Sequence, residues 1–429
     1  MSSGAPCHIV ILGAGFGGLN VAKTLRHPSA RITLIDRQNH HLFQPLLYQV
    51  ATAGLSAPEI AQPIRSILSH RDQVTVLMGT VTRVDLENRC VSMGHRTLSY
   101  DRLVIALGGV TSYFGHPEWE QHAPGLKSLQ DALHIRHDIL LAFERAENQT
   151  DPAVRERLMT IVVVGGGPTG VELAGAFAEL SRHVLRADFR SIDPGTARVI
   201  LLEAGPDLLS HIPEELRVSA RQQLESLGVT VRTGTKVAAI EKGCVRLEHD
   251  ECIEAENIIW AAGVQGHPLM TSLDVPRDRA GRVKVAPDLS VPGHPEVFVI
   301  GDLAHVTDAG GKPVPGVAPA AMQMARHVAD LIDEELASGT RRPGERPPFK
   351  YWDKGTMATI GRSAAVAWAG PIRLHGWIAW VAWLSIHLLF LVGLRNKLAV
   401  ILQWGYAYFT YKRGARIITG RSEPEPDDS

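Results

Sequence analysis

An apolar strand that runs straight into a G-x-G-x-x-G loop occurs twice in this 429-residue chain, and that duplication narrows its folds more than any other feature. The first copy is His8-Ile-Val-Ile-Leu12 followed by Gly13-Ala-Gly-Phe-Gly-Gly18. The second, 152 residues on, is Ile161-Val-Val-Val164 followed by Gly165-Gly-Gly-Pro-Thr-Gly170. Such a loop needs glycine for backbone access. Gly13 and Gly165 allow the tight turn after the strand, and Gly15 and Gly167 let the backbone approach a pyrophosphate. Gly18 and Gly170 let the next helix pack on the sheet with its N-terminus aimed at phosphates. Downstream segments repeat too: Val74-Thr-Val76 and Val229-Thr-Val231 lie 155 residues apart, as do Ala106-Leu-Gly108 and Ala261-Ala-Gly263. Between these pairs each half alternates apolar and polar residues broken by glycine and charge, the pattern of a small antiparallel hairpin layer. The expectation is an α/β chain with two Rossmann-like dinucleotide-binding domains built on one plan.

An acid closes the second strand of each copy. Arg31-Ile-Thr-Leu-Ile35 ends in Asp36, 18 residues past Gly18, close to the spacing at which a carboxylate holds a ribose hydroxyl. Val199-Ile-Leu-Leu202 ends in Glu203, 33 residues past Gly170, and the Arg-bearing stretch 181–197 reads as an extension of the helix and its loop. A carboxylate there accepts a 2′-hydroxyl and repels a 2′-phosphate, which favours NADH over NADPH. An ordinary acid at a strand end is the competing reading. Near residue 300, Val297-Phe-Val-Ile-Gly301-Asp302 reads as a further buried strand that returns to complete the first domain after the second has been inserted.

The set Gly13–Gly18, Leu103-Val-Ile-Ala-Leu-Gly108 and Val299-Ile-Gly301-Asp302 resembles the two-dinucleotide-binding flavoprotein superfamily. That resemblance implies non-covalent FAD in the first domain, at Gly13, Gly15, Gly18, Asp36, Ala106, Gly108 and Gly301, with the Asp302 carboxylate on the ribityl chain. The second domain, through Gly165, Gly167, Gly170, Glu203 and Gly263, then takes NADH. Three further segments resemble type II NADH dehydrogenases, the single-subunit NADH:quinone oxidoreductases. They are His41-Leu-Phe-Gln-Pro45-Leu-Leu-Tyr-Gln-Val-Ala51, Val317-Ala-Pro-Ala-Ala-Met-Gln323 and Tyr351-Trp-Asp-Lys-Gly-Thr-Met-Ala-Thr-Ile-Gly361, and the likeness runs across residues 8–416. The family's quinone-side motif often reads Ala-Gln-x-Ala-x-Gln. Here Pro319 stands where the first Gln would be, while Ala318, Ala321 and Gln323 match, so no role of the lost Gln carries over.

What the resemblance implies is hydride transfer from NADH to flavin N5 and delivery of two electrons to a membrane quinone in a respiratory chain, without proton pumping. Glu172, expected in the first turn of the second-domain helix, is the candidate organiser where nicotinamide meets flavin; helix-dipole stabilisation is the competing reading. Gln323 is the candidate hydrogen-bond partner of a flavin or quinone carbonyl, against a plain helix-face amide. Pro45 and Leu46 are expected along the flavin by backbone contacts, with Ala318 also at the cofactor, and Tyr48 is either a site residue or core.

Composition excludes much else. Cys7, Cys90, Cys244 and Cys252 show no C-x-x-C spacing, which excludes a disulfide scaffold and a zinc ribbon and fits a reducing compartment. All four are expected to be inert. The 19 His form no H-E-x-x-H pattern and cluster-type Cys runs are lacking, so no metal is expected. A formal charge of −1 argues against a nucleic-acid partner. That total hides an asymmetry: residues 354–422 hold nine basic residues and no acid, the tail beyond them holds four acids, and residues 1–353 carry −6.

Six of the eight Trp follow residue 350, and 377–392 is apolar except for Ser385 and His387. As a helix these residues reach about 24 Å, short of a hydrocarbon core of roughly 30 Å. After Arg395 and Lys397, a second apolar-aromatic stretch covers 398–409. The pattern reads as helices lying in the surface of a membrane with anionic lipid. A buried dimer interface is the competing reading, so a homodimer stays open.

The expected divisions are 1–120 and 265–337 for the FAD-binding domain, 121–264 for the NADH-binding domain, 338–422 for the membrane-associating region and 423–429 for a disordered acidic tail. The N-terminus shows no signal-peptide pattern, and the expected location is the cytoplasmic face of the cell membrane, peripheral. Alternatives are another FAD-dependent reductase, of the sulfide:quinone or ferredoxin type, or a non-catalytic FAD/NADH redox sensor.

Overall fold

The computed structural model describes residues 6–308, 311–339, 344–410 and 413–418; the acidic tail, Lys412 and Arg421 lie outside the described residues. The principal elements of the first 165 residues are β1 (Cys7–Leu12), α1 (Phe16–Thr24), β2 (Ala30–Asp36), α2 (Leu47–Ala51), β3 (Val74–Met78), β4 (Arg102–Ile105) and β5 (Thr160–Val164). There follow α3 (Pro168–Glu179), β6 (Arg198–Leu202), β7 (Val229–Arg232), β8 (Asn257–Trp260), β9 (His294–Val299), α4 (Ala318–Ser338), β10 (Thr356–Gly361), α5 (Gly376–Phe390) and α6 (Leu394–Thr410). They form two compact units, one of residues 1–42, 61–110 and 264–354, the other of residues 43–60, 111–263 and 355 onward.

The first unit is built on a six-stranded sheet in the order Ser290–Val291, β9, β4, β1, β2, β3, parallel except at the Ser290–Val291 edge. Its central strands β1 and β4 carry continuous apolar runs, as a parallel sheet covered on both faces requires. Ile9 through Leu12, Leu103 through Ile105, Val297 and Phe298 are wholly buried, and α1 packs against α4. Arg83–Asp85, Cys90–Met93 and Arg96–Ser99 form the antiparallel hairpin layer expected from the alternation.

In the second unit a parallel sheet runs β7, β6, β5, β8, the same order as β3, β2, β1, β4 in the first. Its hairpin layer is Val237–Glu241, Cys244–Leu247 and Cys252–Glu254. The stretch after α3 winds as a π-helical turn, Leu180–Leu185, and then loops through a 3-10 turn at Pro194–Thr196. Residues from 355 onward belong to this unit. They begin as an antiparallel sheet of β10, Ala364–Ala369 and Ile372–His375 and continue as α5 and α6. Helix α3 crosses β10 so closely that a Cβ on Gly175 would lie 1.6 Å from the Ile360 carbonyl oxygen.

The hairpin layer corrects one expectation. Cys244 and Cys252 are not inert thiols but are joined as a disulfide; Cys7 and Cys90 are free. Pairing places Cys252 opposite Arg246, diagonal to Cys244, with the two Cα atoms 6.0 Å apart, inside the range a disulfide needs. That proximity comes from strand register, which a spacing of eight residues does not reveal.

Candidate active site

Each unit carries the same loop, built the same way. Gly13 has φ +93°, and a Cβ there would meet the Ala106 carbonyl oxygen at 2.5 Å; a Cβ on Gly18 would lie 1.8 Å from the Gly13 oxygen. In the second unit Gly165 has φ +114°, and a Cβ there would meet the Ala261 carbonyl carbon at 2.7 Å, while a Cβ on Gly170 would lie 1.8 Å from the Gly165 oxygen. Between them, Gly15 and Gly167 face open space and cap α1 and α3. The outer glycines are therefore demanded by packing, and the middle one leaves the helix N-terminus uncovered.

The two strand-end acids also match. Asp36 accepts from the Ala14 amide at 2.6 Å and the Gln38 amide at 2.7 Å. Glu203 accepts from the Gly166 amide at 2.5 Å and the Gly205 amide at 2.6 Å. Each carboxylate is thereby fixed against its glycine loop. His41, which the sequence did not single out for a role, supports the first loop: it is buried, its Nδ1 lies 2.9 Å from the Ala14 oxygen, and its ring meets Phe16 edge-on.

Across the first sheet, Gly108 also faces open space. Asp302 sits in the turn after β9, where a Cβ on Gly316 would lie 3.3 Å from its Oδ1 and a Cβ on Gly109 would lie 3.7 Å from its Cβ. Its carboxylate makes no side-chain hydrogen bond among the described residues. Gly301 has φ +73°, and Ala318 opens α4. The open glycines, the fixed Asp36 and the unengaged Asp302 together fit a dinucleotide with a polyol arm.

Gln323 is differently engaged. Its Nε2 donates to the Trp352 oxygen at 3.0 Å and its Oε1 accepts from the Trp352 amide at 2.9 Å, so both ends of the amide hold the 352 peptide. Pro45 and Leu46 form a 3-10 turn leading into α2, with Leu46 fully buried.

Glu172 lies in the second turn of α3, not the first, because the helix begins at Pro168; a helix-dipole account therefore does not apply. With Ala176 and Glu179 it lines one helix face, the i, i+4, i+7 spacing. That face bounds a cavity of about 130 Å³ walled by Tyr48, Gln49 and Thr52 of the α2 segment, by β10, and by Trp380, Trp383, Trp404 and Tyr408 of α5 and α6. The two acids fare differently. Glu179 pairs with Arg413 at 3.1 Å and also accepts from the Arg362 amide. Glu172 has no cationic partner among the described residues, and burial pushes its carboxyl up to about 8, against smaller opposing pulls from the Thr359 backbone and the Trp383 indole. The indole N–H of Trp383 is buried and stops short of hydrogen-bond geometry. Beside it, Gln49 Nε2 donates to the Tyr48 hydroxyl at 2.8 Å, and burial raises the phenol well above its ordinary range. Tyr48 therefore stays protonated. The site is an aromatic chamber with two neutral, proton-bearing oxygens. Two acids seven residues apart on an Ala/Gly-rich helix were the signal that could have located it.

Duplicated loops with matching acids define a class of proteins that bind two dinucleotides, and the sequence over 7–325 matches the pyridine nucleotide-disulphide oxidoreductase family. Within that class, the chain is 46% identical over 96% of its length, and 90% of the relative's, to the type II NADH:quinone oxidoreductase Ndh of Mycobacterium tuberculosis. It is 45% identical to NdhA of the same organism, also a type II NADH:quinone oxidoreductase, over 98% of this chain and 92% of that one. The chain belongs to the type II NADH:quinone oxidoreductase family. Its fold is also that of Plasmodium falciparum NDH2 solved in complex with NADH, with a TM-score of 0.88 at 20% identity over 97% of this chain and 100% of that one.

Proposed function

We propose that this chain oxidises NADH and passes two electrons to a membrane quinone, with FAD as its resident group and without pumping protons. The observation that carries the reading is the Glu172 chamber, which combines aromatic walls suited to a flat apolar ring with a carboxyl that is protonated at neutral pH. Two protons must reach a quinone as it becomes a quinol, and in this reading Glu172 and Tyr48 are the groups that hold them. FAD, when bound, supplies acceptance of a hydride and its release as an electron pair. The residues that would hold it are Gly13, Gly15, Gly18 and Asp36 at the pyrophosphate and ribose, Ala106, Gly108, Gly301 and Ala318 nearby, and Asp302 at the polyol, with Pro45 and Leu46 as the remaining candidates. Gly165, Gly167, Gly170, Gly263 and Glu203 would hold NADH. Gln323 serves by fixing the Trp352 peptide.

No described helix is long and apolar enough to cross a membrane. Trp377, Leu389, Leu394, Leu402 and Phe409 on α5 and α6 are each more than half exposed, which supports peripheral docking of these helices on a membrane; the side we propose is the cytoplasmic one, and the lipid anionic. A homodimer through the same face is the competing use. The test is steady-state oxidation of NADH and NADPH by purified protein with a quinone acceptor, alongside flavin and iron content. One FAD per chain, no iron and NADH-dependent quinone reduction are expected. A protein that takes up no FAD, or that oxidises NADH with no quinone reduced, would overturn the proposal.

A further inference from the structure

An exposed phenylalanine stands over Gly263, just past the end of β8. Phe114 is 67% exposed, and its backbone is left-handed, φ +52°, followed by Gly115 at +99°. A large apolar side chain in solvent on a conformation that L-residues rarely adopt persists only where its surroundings over-determine it. They do so here. The Ser112 amide donates to the Gly263 oxygen at 3.3 Å, and the Ser112 oxygen accepts from the buried Trp260 indole N–H at 2.8 Å. Tyr113 is buried, stacks on Trp260 at 5.6 Å and donates its hydroxyl to the Ala123 oxygen at 2.9 Å. The segment is pinned on both sides of its backbone, yet its next side chain is held out in the open.

Where it is held is informative. The sheet order puts Glu203 at the end of β6, the glycine loop at the end of β5 and residues 261–263 at the end of β8, in adjacent positions about 4.8 Å apart. A dinucleotide with its adenosine ribose on Glu203 and its pyrophosphate over Gly167 carries its other half toward β8. A Cβ on Gly165 would lie 2.7 Å from the Ala261 carbonyl carbon, and the tip of the Phe114 ring covers Gly263: a Cβ on Gly263 would lie 2.6 Å from Phe114 Cζ. Gly263 is itself exposed.

We infer that Phe114 is a preorganised platform for the nicotinamide ring of the substrate, a binding residue that selects the nicotinamide half of NADH and NAD⁺ over a bare adenine diphosphoribose. This rests on the NADH reading proposed above. A flat ring meeting a fixed aromatic gains a modest stacking term, strengthened for the cationic pyridinium of NAD⁺. Removing it should weaken binding roughly three- to tenfold.

The test is calorimetric titration of the purified flavoprotein with NAD⁺ and with ADP-ribose, which lacks the nicotinamide, for the parent, Phe114→Ala and Phe114→Tyr. Alanine should weaken NAD⁺ by that factor and leave ADP-ribose unchanged, and tyrosine should restore NAD⁺. In steady state Phe114→Ala should raise KM for NADH more than it lowers kcat. An alanine variant that binds NAD⁺ as the parent does would overturn the inference, as would one that loses NAD⁺ and ADP-ribose equally, which marks a structural effect. A parent that binds neither ligand would instead overturn the NADH reading itself.

Discussion

At the scale of single residues, Glu172 and Glu203 show how one side chain serves different ends in different surroundings. Glu203 is fixed by two backbone amides at the end of β6 and has its charge solvated by them. With Glu203 at the ribose as proposed, replacing it with glutamine would remove a charge set against a 2′-phosphate and exchange one acceptor for a donor. The NADPH/NADH ratio of kcat/KM should therefore rise in Glu203→Gln, and an unchanged ratio would move the acid away from the ribose. Glu172 has no cationic partner among the described residues, and burial outweighs the pulls of the Thr359 backbone and the Trp383 indole, so its carboxyl stands at about 8 in the folded protein against an ordinary 4.5. Between those values the native state binds a proton that the unfolded state does not, so stability falls as pH rises from about 5 to 8, by at most about 1.4 kcal/mol per pH unit. Glu172→Gln removes that slope. Denaturant midpoints from pH 5 to 9 should show the variant gaining on the parent with rising pH and levelling off above about 8. Parallel pH profiles would mean that Glu172 is ionised throughout.

At the scale of elements, the central parallel strands such as β1 and β5 were legible because burial on both faces writes them as apolar runs, β3 and β7 through their repeated Val-Thr-Val, and the hairpin layers through alternation. Both glycine loops followed, since their φ values and close approaches admit little else. The chamber was not legible. Its walls come from Tyr48, Glu172, Thr359, Trp383 and Trp404, brought together by the packing of α3 on β10 and of α5 beside it, and no local period reports such long-range meetings. The sheet formed by β10, Ala364–Ala369 and Ile372–His375 was also missed, its small residues giving little strand signal. Gly175 is where that packing is most exacting: a methyl group there meets the Ile360 carbonyl, which is backbone and cannot turn aside. Gly175→Ala should cost at least about 1–3 kcal/mol, read as a lowered melting temperature. A variant that melts with the parent would show that α3 and β10 stand further apart than found here. The same packing bears on α5, whose Trp383 is 1% exposed and walls the chamber, so removing the C-terminal helices would open the chamber as well as remove their exposed apolar side chains.

At the scale of the whole molecule, the charge asymmetry is smaller in effect than its sequence count. Of the nine basic residues between 354 and 422, Arg373 pairs with Glu215 at 2.9 Å, Arg413 with Glu179 at 3.1 Å and Arg416 with Asp188, while Arg362 lies over the Tyr408 ring at 4.2 Å. These cations are committed to the protein, and Lys397 donates to the Leu389 carbonyl at 2.8 Å, which leaves Arg395 at the start of α6 among the candidates to meet lipid. A basic residue near an anionic surface contributes about 1 kcal/mol and is screened by salt. Buried apolar area contributes about 25 cal/mol per Å² and is not screened. Exposed side chains such as Leu402 (73%) and Phe409 (82%) therefore outweigh the charges. Substituting both by aspartate, at positions that pack on little within the fold, should abolish co-flotation with anionic vesicles while leaving the melting temperature and flavin content near those of the parent. Raising salt from about 0.1 to 0.5 M should weaken flotation of the parent only in part. Complete release of the parent by salt would assign docking to charge. A double variant that floats like the parent would take the membrane off this face, and a monomeric double variant beside a dimeric parent in light scattering would then assign the face to a second copy of the chain.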